Sequence, residues 1–153
     1  MAHGELTSTE SSGSLERRRT QMGPTGGAGV AFESRELDLL DEVIEAAERA
    51  TGLRFSAYLG NLGADSRATA LGLLGGLGAD TPNGVLVAIS PGQRIVEVVT
   101  GTVAGLRISD RAARLAVLTV VSFAGSGDLL NAFVNAIRTL ADQAGTLPDR
   151  TGW

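Results

Sequence analysis

The sequence predicts a three-layer α/β/α domain in which helices flank a mixed sheet. Three observations carry this. The chain reads in the order helix, strand, helix, hairpin, helix, helix. The stretch "NGVLVAISPGQRIVEVVTG" (83–101) reads as two apolar strands around a Pro-Gly turn. Its first strand, Val85 to Ile89, is almost continuously apolar, the pattern of a strand covered on both faces. The length of 153 residues, with 43% apolar and 20% charged, suits one domain with a real hydrophobic core.

Residues 1–31 are rich in Gly, Ser, Thr and Glu without apolar periodicity, and are expected to be a disordered tail. "GPTGGAG" (23–29) has phosphate-loop glycines but no preceding strand and no Lys, so it reads as a linker. Ser34 offers an N-cap to a first helix. Leu37, Leu40, Ile44 and Ala47 recur there at helical spacing, with acids in the early turns and a stop at Gly52. In "LRFSAYLG" (53–60), Phe55, Ala57 and Leu59 alternate with Ser56 and Tyr58, as in a strand. A short Ala/Leu helix from Ser66 to Leu74 precedes the loop "GGLGADTPNG". Pro91-Gly92 suits the centre of a type II turn. On the return strand, Arg94, Val96 and Val98 share one face, while Ile95, Glu97 and Val99 share the other. Glu97 is an edge-strand solubiliser or a placed carboxylate, and the first is favoured. Asp110 to Ala124 forms a long apolar helix capped by Ser109 or Asp110, broken by "GSG" (125–127). Leu129, Leu130, Phe133, Ile137 and Leu140 stripe a final helix, and residues 144–153 form a C-terminal tail.

The absences restrict the chemistry. There is no Cys, the 13 basic residues are all Arg, and the one His is His3. Thiol catalysis, Schiff-base chemistry, a P-loop lysine and a Ser-His-Asp triad are excluded or remote. Zinc, haem and nucleotide cofactors are not expected, and any metal should be Ca²⁺ or Mg²⁺ held by oxygen. The net charge of −4 gives no basic footprint for nucleic acid. No signal peptide or membrane span is visible, so a cytoplasmic location without membrane insertion is expected.

The ordered pieces resemble the TPM domain, a family also described as thylakoid-acid-phosphatase-like. The matching pieces begin with a helix ending in "ATG", a strand, and then "NGVLVAIS". After the turn come "RIVEVVTG" and "ISD" opening a helix. Phe123 and Gly127-Asp128 then precede the last helix. They span residues 32–143, which sets the expected domain. "ATGLRFSAYLGNLG" with "SPGQRIVEVVTG" looks most like an uncharacterised actinobacterial branch. The pattern places the hairpin centrally in the sheet; the resemblance implies a Rossmann-like sandwich, divalent-metal binding by loop acids, and, in some members, acid phosphatase activity.

Asp80, Asp110 and Asp128 are the candidate metal ligands, since the family order would bring their loops together. Taken singly, each suits a turn or a helix N-cap better. Asn83, Arg94 and Arg107 are candidates for supporting or anion-binding roles, and no catalytic residue is assigned. Two functions compete. One is a binding domain that recognises an unknown protein partner, with a possible stabilising cation. The other is a metal-dependent phosphatase acting on phosphomonoesters.

Overall fold

Four strands form one mixed sheet in the computed structural model, which describes residues 19–24 and 32–146. The elements are β1 (Thr20–Met22), α1 (Ser34–Thr51), β2 (Arg54–Leu59), α2 (Ser66–Gly75) and a 3-10 helix (Gly78–Asn83). They continue with β3 (Gly84–Ser90), β4 (Ile95–Thr100), the short α3 (Ala104–Arg107), α4 (Asp110–Ala124) and α5 (Leu129–Ala144). The strand order is β1-β2-β3-β4. β1 and β3 run parallel to β2, and β4 runs antiparallel to β3. The hairpin is therefore not central as a whole: β3 is an interior strand, but β4 pairs only with β3 and forms the sheet edge.

β1 corrects the expectation of an unstructured stretch over 1–31. Thr20 pairs with Ala57, and Met22 with Leu59. Three residues carry no alternation signal, and the pairing that makes them a strand is non-local. The rest of that stretch, with residues 147–153, lies outside the described residues apart from Arg19, Gly23 and Pro24.

The sheet sorts its side chains as the alternation predicts. Phe55, Ala57, Leu59, Val85, Val87, Ile89 and Val98 face a core shared with α1, α4 and α5. Tyr58, Leu86, Ala88 and Val99 face a smaller core under α2. Every residue of β3 is buried, as a strand covered on both faces should be. Glu97 lies on the edge strand, yet it is engaged: Ser66 donates its hydroxyl at 2.5 Å and Arg67 lies 3.5 Å away.

Local chemistry explains the segment ends. Thr51 is fully buried; its hydroxyl donates to the Ala47 carbonyl at 2.7 Å and accepts the Leu53 N–H at 3.1 Å. Gly52 then turns left-handed (φ 76) to close α1. These two residues give "ATG" its physical meaning. The N-cap of α1 is Glu33 rather than Ser34, because Glu33 is the extended residue and Ser34 already helical. The Glu36 carboxylate accepts the Glu33 N–H at 2.9 Å.

The hairpin turn also departs from expectation. The Arg94 N–H reaches the Pro91 carbonyl at 3.2 Å, so Gly92 and Gln93 are the central residues. The left-handed residue is Arg94 (φ 58), so the Pro91-Gly92 type II turn is not formed. Gln93 fixes this end: its side-chain oxygen accepts from the Leu62 N–H at 2.7 Å and the Ser90 hydroxyl at 2.6 Å. At the opposite end, Gly101 donates to the Gly84 carbonyl at 2.9 Å. A Cβ on Gly101 would stand 2.0 Å from the Thr81 carbonyl oxygen, so the Gly of "VTG" is a packing requirement.

Candidate functional site

The three candidate ligand acids do not assemble. Asp80 is exposed in the 3-10 helix, where Arg54 Nε lies 3.5 Å from its carboxylate. Asp110 is exposed in the first turn of α4; the cap is Ser109, whose hydroxyl accepts the Ala112 N–H at 3.1 Å. Asp128 caps α5, accepting the Asn131 N–H at 3.3 Å and its side-chain amide at 2.8 Å. The 15 residues of α4 separate Asp110 from Asp128, about 22 Å at the helical rise. One ion cannot bridge that span. Among the described residues, no group of three or more His, Cys, Asp or Glu is arranged to hold a metal.

The supporting candidates divide by sheet end. Asn83, half-buried, closes the 3-10 helix just before β3, in the same turn as Asp80. Arg94 is exposed at the hairpin turn, at the far end of the sheet. Arg107 is committed to backbone carbonyls. It donates to Thr51, to Ala144 at 3.3 Å, and to Gly145 and Thr146 at 3.1 Å each. Its geometry is that of a clamp on two helix ends.

A polar cleft of about 430 Å³ opens beside β1 and the start of β2. Its centre is Glu48, one of whose oxygens takes the Phe55 N–H at 3.0 Å. The other oxygen meets Arg19 at 3.0 Å and Arg54 at 3.7 Å. Arg54 then links to Asp80. Among the described residues, the charges lining the cleft are two guanidiniums and two carboxylates, each held in this ion-pair network. Sequence reading missed this network because its members come from four separate segments, and no local spacing marks them.

Tyr58, the only Tyr, donates its hydroxyl to the Asn61 carbonyl at 2.8 Å. Burial raises its pKa above the ordinary 10.0. It is a packed aromatic with a paired hydroxyl, and at neutral pH it is no base.

Among the described residues, α4 exposes three large apolar side chains on one face. Leu115, Leu118 and Val121 are 46%, 66% and 54% exposed. Sequence reading placed this helix and its apolar character, but the excess of apolar residues over one face was the unused signal. A groove of about 640 Å³ runs beside them, floored by Leu115 and Leu118 and rimmed by Arg111, Arg114 and Gln143. Among the described residues no helix is long and apolar enough to cross a membrane.

These features define a mixed α/β/α domain in which several charged side chains cap helices or tie segments together, and in which α4 exposes an apolar face. The family follows from the sequence match: residues 6–141 fit the model "Domain of unknown function (DUF5130)", and the chain belongs to that family. Two uncharacterised proteins of Mycobacterium tuberculosis, from strains CDC 1551 / Oshkosh and ATCC 25618 / H37Rv, are each 39% identical over 118 residues. Each match covers 76% of this chain and 68% of the relative. The fold is similar to the N-terminal domain of the cg2496 protein of Corynebacterium glutamicum. That likeness has a TM-score of 0.65 and 10% identity, covering 90% of each chain. An N-terminal domain from P. gingivalis is similar at TM-score 0.68 and 15% identity, over 85% of this chain and 83% of that one. The BA42 protein of Bizionia argentinensis is similar at TM-score 0.68 and 16% identity, over 76% and 83%. At these identities the structures speak to fold alone.

Proposed function

We propose that this is a TPM-like protein-binding domain, with the outer face of α4 as its binding surface. The observation that carries the reading is the exposure of Leu115, Leu118 and Val121 on one helix face. Contiguous apolar surface of this kind costs solubility and gains nothing for an isolated fold, which is why it marks interaction sites. The ordered segments from "ATG" to Gly127-Asp128 support the TPM kinship.

The phosphatase alternative requires Asp80, Asp110 and Asp128 at one ion, and the length of α4 argues against it. Cross-linking the intact chain in its native cell should recover protein adducts through α4. Leu118→Glu should remove them while the purified variant keeps its fold. Adducts unchanged by Leu118→Glu would move the binding surface elsewhere. EDTA-sensitive turnover of a phosphomonoester, lost in Asp110→Asn, would overturn the reading in favour of the enzyme.

A further inference from the structure

The polarity of α4 indicates what covers it. Beyond Asp110, its charged residues are Arg111 and Arg114, both exposed and both in its amino-terminal half. That is the wrong end for cations within one helix, since the amino terminus carries the positive pole of the backbone dipole. The carboxyl-terminal half has no cation, and its exposed positions are Leu118, Val121 and Ser122. Asp128 lies just beyond it. Residues 111, 114, 115, 118, 121 and 122 follow helical spacing and form one stripe. The stripe is thus apolar at its centre, basic at one end and dipole-negative at the other. A surface of that kind is complementary to itself when one copy is turned by 180°.

We propose that α4 packs antiparallel against α4 of a second copy of this chain, with the two-fold axis at Leu118. This rests on the reading of α4 as the binding face, and it names the occupant. Around that axis Leu118 meets its own symmetry mate, and Leu115 meets Val121 of the partner subunit. Arg114 lies beside Ser122 of the partner subunit. Arg111 points to the last turn of the partner's α4. Each guanidinium then gains the negative helix pole that its own helix denies it, and the two macrodipoles run antiparallel. One helix face buries less than the roughly 800 Å² per partner of a standard interface. The dimer should therefore be weak, with a dissociation constant on the order of 10–100 µM.

Sedimentation velocity of the full chain tests this, run from about 1 to 500 µM to bracket that constant. The weight-average mass should climb from one chain toward two. Leu118→Glu places two carboxylates on the axis and should hold the mass at one chain throughout. At concentrations where the parent is a single chain, its circular dichroism and melting point should stay those of the parent, because Leu118 is exposed. Ser122→Glu faces Arg114 of the partner subunit twice per dimer. Two exposed pairs at about 0.5 kcal/mol each should tighten the dimer about fivefold. Ser122→Arg should loosen it by a similar factor. A parent mass of one chain at the highest concentration overturns the inference. Equal effects of Ser122→Glu and Ser122→Arg overturn the antiparallel register. If the parent stays single while native-cell cross-links still need Leu118, the second copy is the wrong occupant and the binding domain stands. If the parent dimerises and no other adduct depends on Leu118, the partner is this chain itself.

Discussion

The two sides of α4 are built from opposite materials. Its inward side presents Ala112, Ala116 and Val120, at most 3% exposed. Its outward side presents Leu115, Leu118 and Val121. An amphipathic helix that served only the fold would place its large residues inward. Here small residues let α4 approach its main neighbour, α5, closely, and Ala132, Phe133 and Ala136 of α5 belong to the same core. The inward side is thus governed by shape and the outward side by area. Changes that stabilise or destabilise the fold should concentrate on the first, and changes in association on the second.

The largest effect should come from charging the core on which the inward side packs. Val87 is fully buried in the core that α4 covers. Val87→Asp should cost about 3 kcal/mol or more, or abolish soluble expression, as read by urea unfolding. A soluble variant of normal stability would mean that β3 is not covered on both faces. Next comes overpacking: Ala116→Leu should cost about 1–3 kcal/mol by the same measurement. An Ala116→Leu protein as stable as the parent would show that α4 sits loosely, and the contrast between its sides would collapse.

A smaller effect is expected on the α2 side of the sheet, from Tyr58. Its folded pKa is raised, so the folded state holds this proton more tightly than the unfolded state does. The contribution is fully present below the ordinary value of 10.0 and is lost as pH rises through the folded value. Because this is the only Tyr, the absorbance of tyrosinate reads it directly. The midpoint should lie above 10.0 in the native protein and return to the ordinary value in denaturant. Equal midpoints would mean that the hydroxyl is wet. The smallest effect belongs to the outward side. Leu118→Glu should change the unfolding free energy, measured at low concentration, by no more than about 0.5 kcal/mol. A loss of several kcal/mol would place Leu118 in the fold and undo the division.

Much of this architecture is legible in the residues, because the periodicities are local. Phe55-Ala57-Leu59 against Tyr58, and Val96-Val98 against Ile95-Val99, sort onto their observed faces by alternation alone. What is hidden is non-local. β1 exists through its pairing with β2. The Glu48 network draws on α1, β2, Arg19 and the 3-10 helix. The aspartates illustrate a different limit. Each obeys a local rule, as a first-turn acid or a cap, and local rules say nothing about convergence. Only the length of α4, itself readable between Ser109 and Gly125, separates Asp110 from Asp128.

Arg107 has a consequence for the order in which parts of the molecule open. The last turn of a helix ordinarily frays, and its amides exchange with solvent through small local openings. In this chain, a single guanidinium grips the Ala144, Gly145 and Thr146 carbonyls and, on its other side, the carbonyl of Thr51. The end of α5 therefore cannot loosen without releasing the junction that starts β2. Amides near 141–144 should exchange as slowly as those around Thr51 and Leu53, joining one cooperative unit. In Arg107→Ala the two sets should separate, with the helix end exchanging first. Through that one side chain, a segment that would be the first to open becomes part of the last.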